Sequence, residues 1–61
     1  MKTETVVTNG IQRSIDYKVW TQVNEVRIYA VRGDVTDTEE LVTMGQELAM
    51  QLGVEKYRIS L

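Results

Sequence analysis

Aromatic and basic side chains recur at alternate positions in segments that read as β-strands. Trp20 lies two residues after Lys18, and Tyr29 lies two residues after Arg27. Side chains two residues apart in a strand project from the same face, so these groups are expected to share one surface of a sheet. Such a surface can contact a protein partner, because Trp, Tyr and Arg dominate binding hot spots. It can also stack on bases and pair with the phosphates of a single nucleic-acid strand.

The residue types that most often drive catalysis are missing from this chain. It contains no histidine and no cysteine, so the commonest general base and two common nucleophile arrangements are absent. No glycine-rich phosphate-binding motif occurs. The carboxylates of Asp37, Glu39 and Glu40 suit the first turn of a helix, where the macrodipole favours acids. A metal site of Asp34, Asp37 and Glu39 matches no calcium-loop spacing. We therefore predict a protein that is not an enzyme and that uses no metal, other cofactor or small-molecule substrate.

The length of the chain sets a limit on its stability. Its 61 residues form one domain, predicted to span residues 1–61. A core of this size supplies about 3–5 kcal/mol of net stability. Without cysteine or histidine, neither a disulfide nor a Cys/His zinc site can add to it. A regular fold, self-association or both are therefore expected.

Composition and charge narrow the class of protein further. The chain is 43% hydrophobic and 26% charged, close to the globular average. No apolar run approaches the roughly 20 residues that cross a bilayer, and residues 1–10 lack the apolar stretch of a signal peptide. A cytoplasmic location is expected by default. Residues 34–55 carry six acids and no base, whereas the remainder carries seven bases and three acids, for a net charge of −2. That net charge weighs against a dedicated nucleic-acid binder.

A β-hairpin is the clearest local signal. Asn9-Gly10 is the preferred pair for a two-residue turn in which both positions need positive φ. This turn pairs Thr8 with Ile11 and, further along, Lys2 with Tyr17. The face expected to form the core then carries five apolar residues: Val6, Ile11, Ile15, Tyr17 and Val19.

Beyond a turn near residues 22–25, alternation predicts a third strand over residues 26–32. Val26, Ile28 and Ala30 are expected to point inward, and Arg27, Tyr29 and Val31 outward. Residues 54–61 alternate again and predict a last strand. The simplest sheet places that strand parallel to the first, in the order 3-2-1-4.

A helix is predicted over residues 37–52. Thr36 and Glu39 fit a capping box at its start, and Gly53 suits a left-handed residue at its end. Apolar residues recur at helical spacing, and Gly45 lies among them, where the helix is expected to press against the sheet. The predicted fold is an α+β, β-β-β-α-β two-layer domain, with one helix packed on one face of a four-stranded, mostly antiparallel sheet.

One helix covers only one face of such a sheet, so the other face is the candidate binding surface. Its predicted binding residues are Lys18, Trp20, Arg27, Tyr29, Val31 and Arg58. The function expected of it is non-catalytic protein–protein interaction, either as a homodimer or as an accessory protein that modulates a larger partner. The alternatives are single-stranded nucleic-acid binding across the same face and a face that is merely solvated.

Overall fold

Four strands and one helix occur in the predicted β-β-β-α-β order. A computed structural model describes residues 2–33 and 37–61. The elements are β1 (Lys2–Thr8), β2 (Ile11–Trp20), a 3-10 turn (Thr21–Val23), β3 (Glu25–Val31), α1 (Thr38–Leu52) and β4 (Lys56–Ile59). The predicted α+β fold is confirmed. Within these residues no helix is both long and apolar enough to span a membrane.

The first hairpin forms as predicted. Asn9 and Gly10 have φ values of 53° and 74°, the left-handed backbone that this turn requires. β1 and β2 pair antiparallel from Thr8↔Ile11 to Lys2↔Tyr17, which is the expected register. The turn residues therefore determine which side chains of β1 and β2 face the helix.

The core lies between one face of the sheet and α1. In the described part of the chain, seven buried apolar residues form it: Ile15, Tyr17, Val26, Ile28, Met44, Leu48 and Ala49. Ile11 was expected there but is 44% exposed. The reason is that β3 begins to pair with β2 only at Ile15, so Ile11 has no neighbouring strand on that side. At this end of the hairpin α1 forms a hydrogen bond to β1 and not to β2: the side-chain amide of Gln51 donates to the Val7 carbonyl.

A β-bulge in β3 reverses the side-chain alternation after Tyr29. Tyr17 pairs with Ile28 but Asp16 pairs with Ala30, which leaves Tyr29 as the extra residue. Val31 consequently pairs with Ile15 and packs against the core. The expectations for Val31, as an outward binding residue, and for Ala30, as an inward one, were therefore wrong.

The strand order is β1-β2-β3-β4, with β4 parallel to β3 rather than to β1. The predicted order 3-2-1-4 was wrong because β4 pairs with the free edge of the strand that precedes the helix. The Asn24 carbonyl, just before β3, accepts hydrogen bonds from the N–H groups of Glu55 and Lys56. The connection is a β-α-β crossover between adjacent parallel strands, in which α1 lies on one face of the sheet.

The ends of α1 are determined by local chemistry. The Asp37 side chain caps the first turn by accepting from the Glu39 N–H at 3.0 Å. Thr36, the predicted capping residue, lies outside the described residues. Gly53 ends the helix with φ 76°, as predicted. Gly45 does lie against the sheet, because a Cβ there would come within 2.5 Å of Cδ2 of Tyr57.

Candidate binding face of the sheet

The open face is the side of the sheet that faces away from α1. Strand pairing places its central side chains in two adjacent rows. Trp20 pairs with Glu25, and Glu25 with Lys56; Lys18 pairs with Arg27, and Arg27 with Arg58. Directly paired residues project from the same face, so the pairing places four of the six predicted binding residues near one another, and Tyr29 lies next to them in β3. We call the group formed by Lys18, Trp20, Glu25, Arg27 and Arg58 the Trp20 cluster.

Trp20 lies under two cations. Nζ of Lys18 is 4.5 Å and Cζ of Arg27 is 4.3 Å from the centroid of its ring. Both distances fall within the range of cation–π attraction, which is worth about 0.5–1 kcal/mol at an exposed site. Trp20 as a whole remains 36% exposed. The indole is therefore held in place on the sheet while part of its surface stays available for contact.

Glu25 anchors the arginine that covers Trp20. Its Oε1 accepts a hydrogen bond from Nε of Arg27 at 2.6 Å, and its Oε2 lies 4.0 Å from Nε of Arg58. The hydrogen bond from Arg27 lowers the pKa of Glu25, against the opposing effect of desolvation. The same bond raises the pKa of Arg27. Both groups therefore stay ionised at neutral pH. The Arg27 guanidinium contacts the Glu25 carboxylate and also the Trp20 ring, and these two contacts fix its position.

Glu25 is the residue of the site that sequence reasoning missed. It is only 8% exposed although it lies on the open face, because the neighbouring side chains cover it. The alternation Glu25-x-Arg27 was visible in the sequence as an opposite-charge pair on one face of a strand. Its position opposite Trp20 was not, since that depends on the register between β2 and β3.

Tyr29 lies next to the Trp20 cluster at the bulge. It is half-buried, and its hydroxyl contributes to the raised pKa of Arg27. Arg58 and Lys18 are exposed at the margin of the cluster, with the Arg58 side chain 58% exposed. The open face thus has an aromatic and guanidinium centre with exposed cations at its margin, and Trp, Tyr and Arg are the residues enriched in binding hot spots.

The opposite side of the molecule is acidic. Asp37, Glu39 and Glu40 lie with Asn9 and Thr43 around a shallow polar depression at the start of α1. Arg13 forms an ion pair with Glu40 there. In the described part of the chain, no group of three or more acidic residues is arranged to hold a metal ion. The charge asymmetry seen in the sequence is therefore an asymmetry between two surfaces of the fold.

Comparison of the chain with protein-family models, curated proteins and solved structures finds no match.

Proposed function

We propose that this protein is a non-catalytic binding module that contacts an acidic surface of another protein through its open face. The observation that supports this is the position of Trp20, which is partly exposed and held by Lys18 and Arg27 at 4.5 and 4.3 Å. An aromatic ring that is already ordered loses little entropy on binding. Arg27 is ordered in turn by Glu25.

Charge favours a different protein over a second copy. Among the described residues, the open face carries the cations Lys18, Arg27, Lys56 and Arg58 and the acids Asp16 and Glu25, of which Glu25 is buried. A two-fold dimer through this face would bring like charges together. An acidic partner would gain from the same cations, in association rate and in specificity.

Nucleic-acid binding through the same face has weaker support. A base that stacked on Trp20 would compete with the two side chains that already lie over its ring. Tyr29, the other expected stacking residue, is half-buried. We therefore treat oligonucleotide binding as an outcome of the test rather than as a second proposal.

The test compares Trp20→Ala and Lys18→Glu with Gln12→Ala, an exposed residue of β2 outside the cluster. Each purified chain is used to capture proteins from the native host, and the captured protein is then titrated against each variant. We expect one acidic protein to bind the wild type and Gln12→Ala alike. We expect about tenfold or greater weakening in both cluster variants, together with weaker binding at high salt.

Lys18→Glu keeps the test decisive if Trp20→Ala unfolds, because an exposed charge reversal leaves the core intact. Equal capture by all three variants would refute the proposal. So would a concentration-dependent dimer, measured by sedimentation, that Trp20→Ala abolishes. A single-stranded oligonucleotide that binds with a steep salt dependence and requires Trp20 would also refute it.

A further inference from the structure

A second candidate site lies at the edge of the sheet beside β4, on the side of α1. α1 and the segment leading into β4 enclose a groove of about 410 Å³ there, which we call the β4 groove. It is lined by Gln46, Ala49, Met50, Val54, Glu55 and Tyr57. Met50 is 80% exposed, although it is a large apolar side chain.

The backbone beside this groove has one unpaired edge. β4 is the last strand of the sheet and pairs only with β3 in the described chain. The N–H groups of Lys56 and Ser60 point inward, to the carbonyls of Asn24 and Ile28 at 3.1 and 2.8 Å. Backbone direction alternates along a strand, so the N–H and C=O groups of Tyr57 and Ile59 point outward. These outward groups are a template for one more strand.

We infer that the β4 edge binds an extended segment of a partner protein as a fifth strand, with alternating apolar and acidic side chains. The apolar side chains of such a strand would enter the β4 groove against Met50, Val54 and Tyr57. The side chains between them would lie on the open face beside Lys56 and Arg58, which project there. Main-chain hydrogen bonds supply affinity in this mode of recognition, and alternate side chains supply specificity.

Charge complementarity excludes a second copy of the chain as the occupant. Antiparallel pairing of β4 with itself, centred on Tyr57 or Arg58, places Lys56 opposite Arg58 or Arg58 opposite Arg58. Like charges in directly opposed positions destabilise a sheet. β1, the other free edge, carries no carboxylate on its open-face positions, which are Thr3, Thr5 and Val7. The carboxylates must therefore come from another protein.

This inference goes beyond the proposed function, because the β4 groove lies on the opposite side of the sheet from Trp20. The probe is a synthetic peptide of about nine residues alternating valine and glutamate, with a valine–lysine peptide as its counterpart. Binding is followed by nuclear magnetic resonance titration, together with the amide hydrogen exchange of Tyr57 and Ile59. We expect saturable binding of the acidic peptide and slowed exchange at both amides.

Three variants locate the site. Met50→Glu is expected to weaken binding about tenfold by placing a charge in the groove, and Lys56→Glu to weaken it through repulsion. Gln12→Glu adds the same charge at a distant exposed position and should change the affinity less than about twofold. This test measures Met50 and the β4 amides, whereas the open-face test measures Trp20 and Lys18, so failure of this site and failure of the open face are separate results.

Any of four results would overturn the inference. They are absence of saturable binding, equal affinity for the lysine peptide, protection confined to β1 amides, and dimerisation of the chain that Met50→Glu abolishes.

Discussion

The carboxylate of Glu25 holds the guanidinium of Arg27 at 2.6 Å and thereby positions it over Trp20. Glu25 is buried and Trp20 is partly exposed. A partner that contacts Trp20 would therefore scarcely touch Glu25, although Glu25 positions the arginine that covers the ring. Order in the Trp20 cluster therefore depends on a charge that must remain ionised.

Glu25→Gln tests this dependence on ionisation. The pKa of Glu25 is lower in the folded protein than its ordinary value of 4.5, chiefly because of the Arg27 hydrogen bond. Its contribution to stability is therefore present above about pH 4.5 and is lost as the pH falls through the lowered pKa. We expect urea unfolding of the wild type between about pH 6 and pH 3 to show a steeper loss of stability than that of Glu25→Gln. Parallel profiles for the two proteins would contradict the assignment.

Tyr17 gives the opposite prediction at alkaline pH. Burial, together with the hydrogen bond that its hydroxyl donates to Glu4 at 2.6 Å, raises its pKa from 10.0 to about 12. Between these values the unfolded chain loses the phenolic proton while the folded chain keeps it, so the free energy of unfolding falls as the pH rises. Absorbance titration of the folded wild type should show a tyrosine that ionises near 12, and this titration step should be missing in Tyr17→Phe. Absence of this step from the wild-type titration would disprove the burial of the Tyr17 hydroxyl.

Gly45→Ala is expected to destabilise the protein despite the better helix propensity of alanine. The propensity gain is about 1 kcal/mol, whereas overpacking a core contact costs about 1–3 kcal/mol. The added Cβ would lie 2.5 Å from Cδ2 of Tyr57, so the ring or the helix must move. Urea unfolding measures the net effect.

A second substitution isolates the cause. In Tyr57→Ala the ring is gone, so Gly45→Ala made in that background should become neutral or stabilising. An equal loss of stability in both backgrounds would assign the effect to something other than this contact.

Asp37→Ala should lower the free energy of unfolding by about 1 kcal/mol, because the Glu39 N–H loses its acceptor at the start of α1. Asp37→Asn keeps an oxygen acceptor at the same position and is the matched control. Chemical denaturation of the three proteins separates the cap from the charge. If Asn and Ala are equally destabilising, the negative charge is what stabilises this end of the helix.

The elements that local chemistry defines were predictable from the sequence. The Asn9-Gly10 turn determined the register of β1 and β2, and Gly53 marked the end of α1. The bulge at Tyr29 was not predictable, because one extra residue in a strand leaves no mark in its composition. The place of β4 depends on contacts such as those of the Asn24 carbonyl, far from β4 in sequence.

The arrangement of side chains on the open face was also predictable only in part. Alternation identified Lys18, Trp20, Arg27 and Arg58, whose neighbours lie on regular strands. The prediction that Val31 points outward was wrong because Val31 follows the bulge. Glu25 was missed because Trp20 and Arg58, which lie beside it, are on neighbouring strands and not on its own.

The chain has a single tryptophan, and it lies within 4.5 Å of two positive charges at the centre of the proposed contact surface. Its emission spectrum responds to nearby charge and to water, both of which a docking protein would change. The molecule thus contains its own optical reporter, and a partner can be titrated without any attached dye.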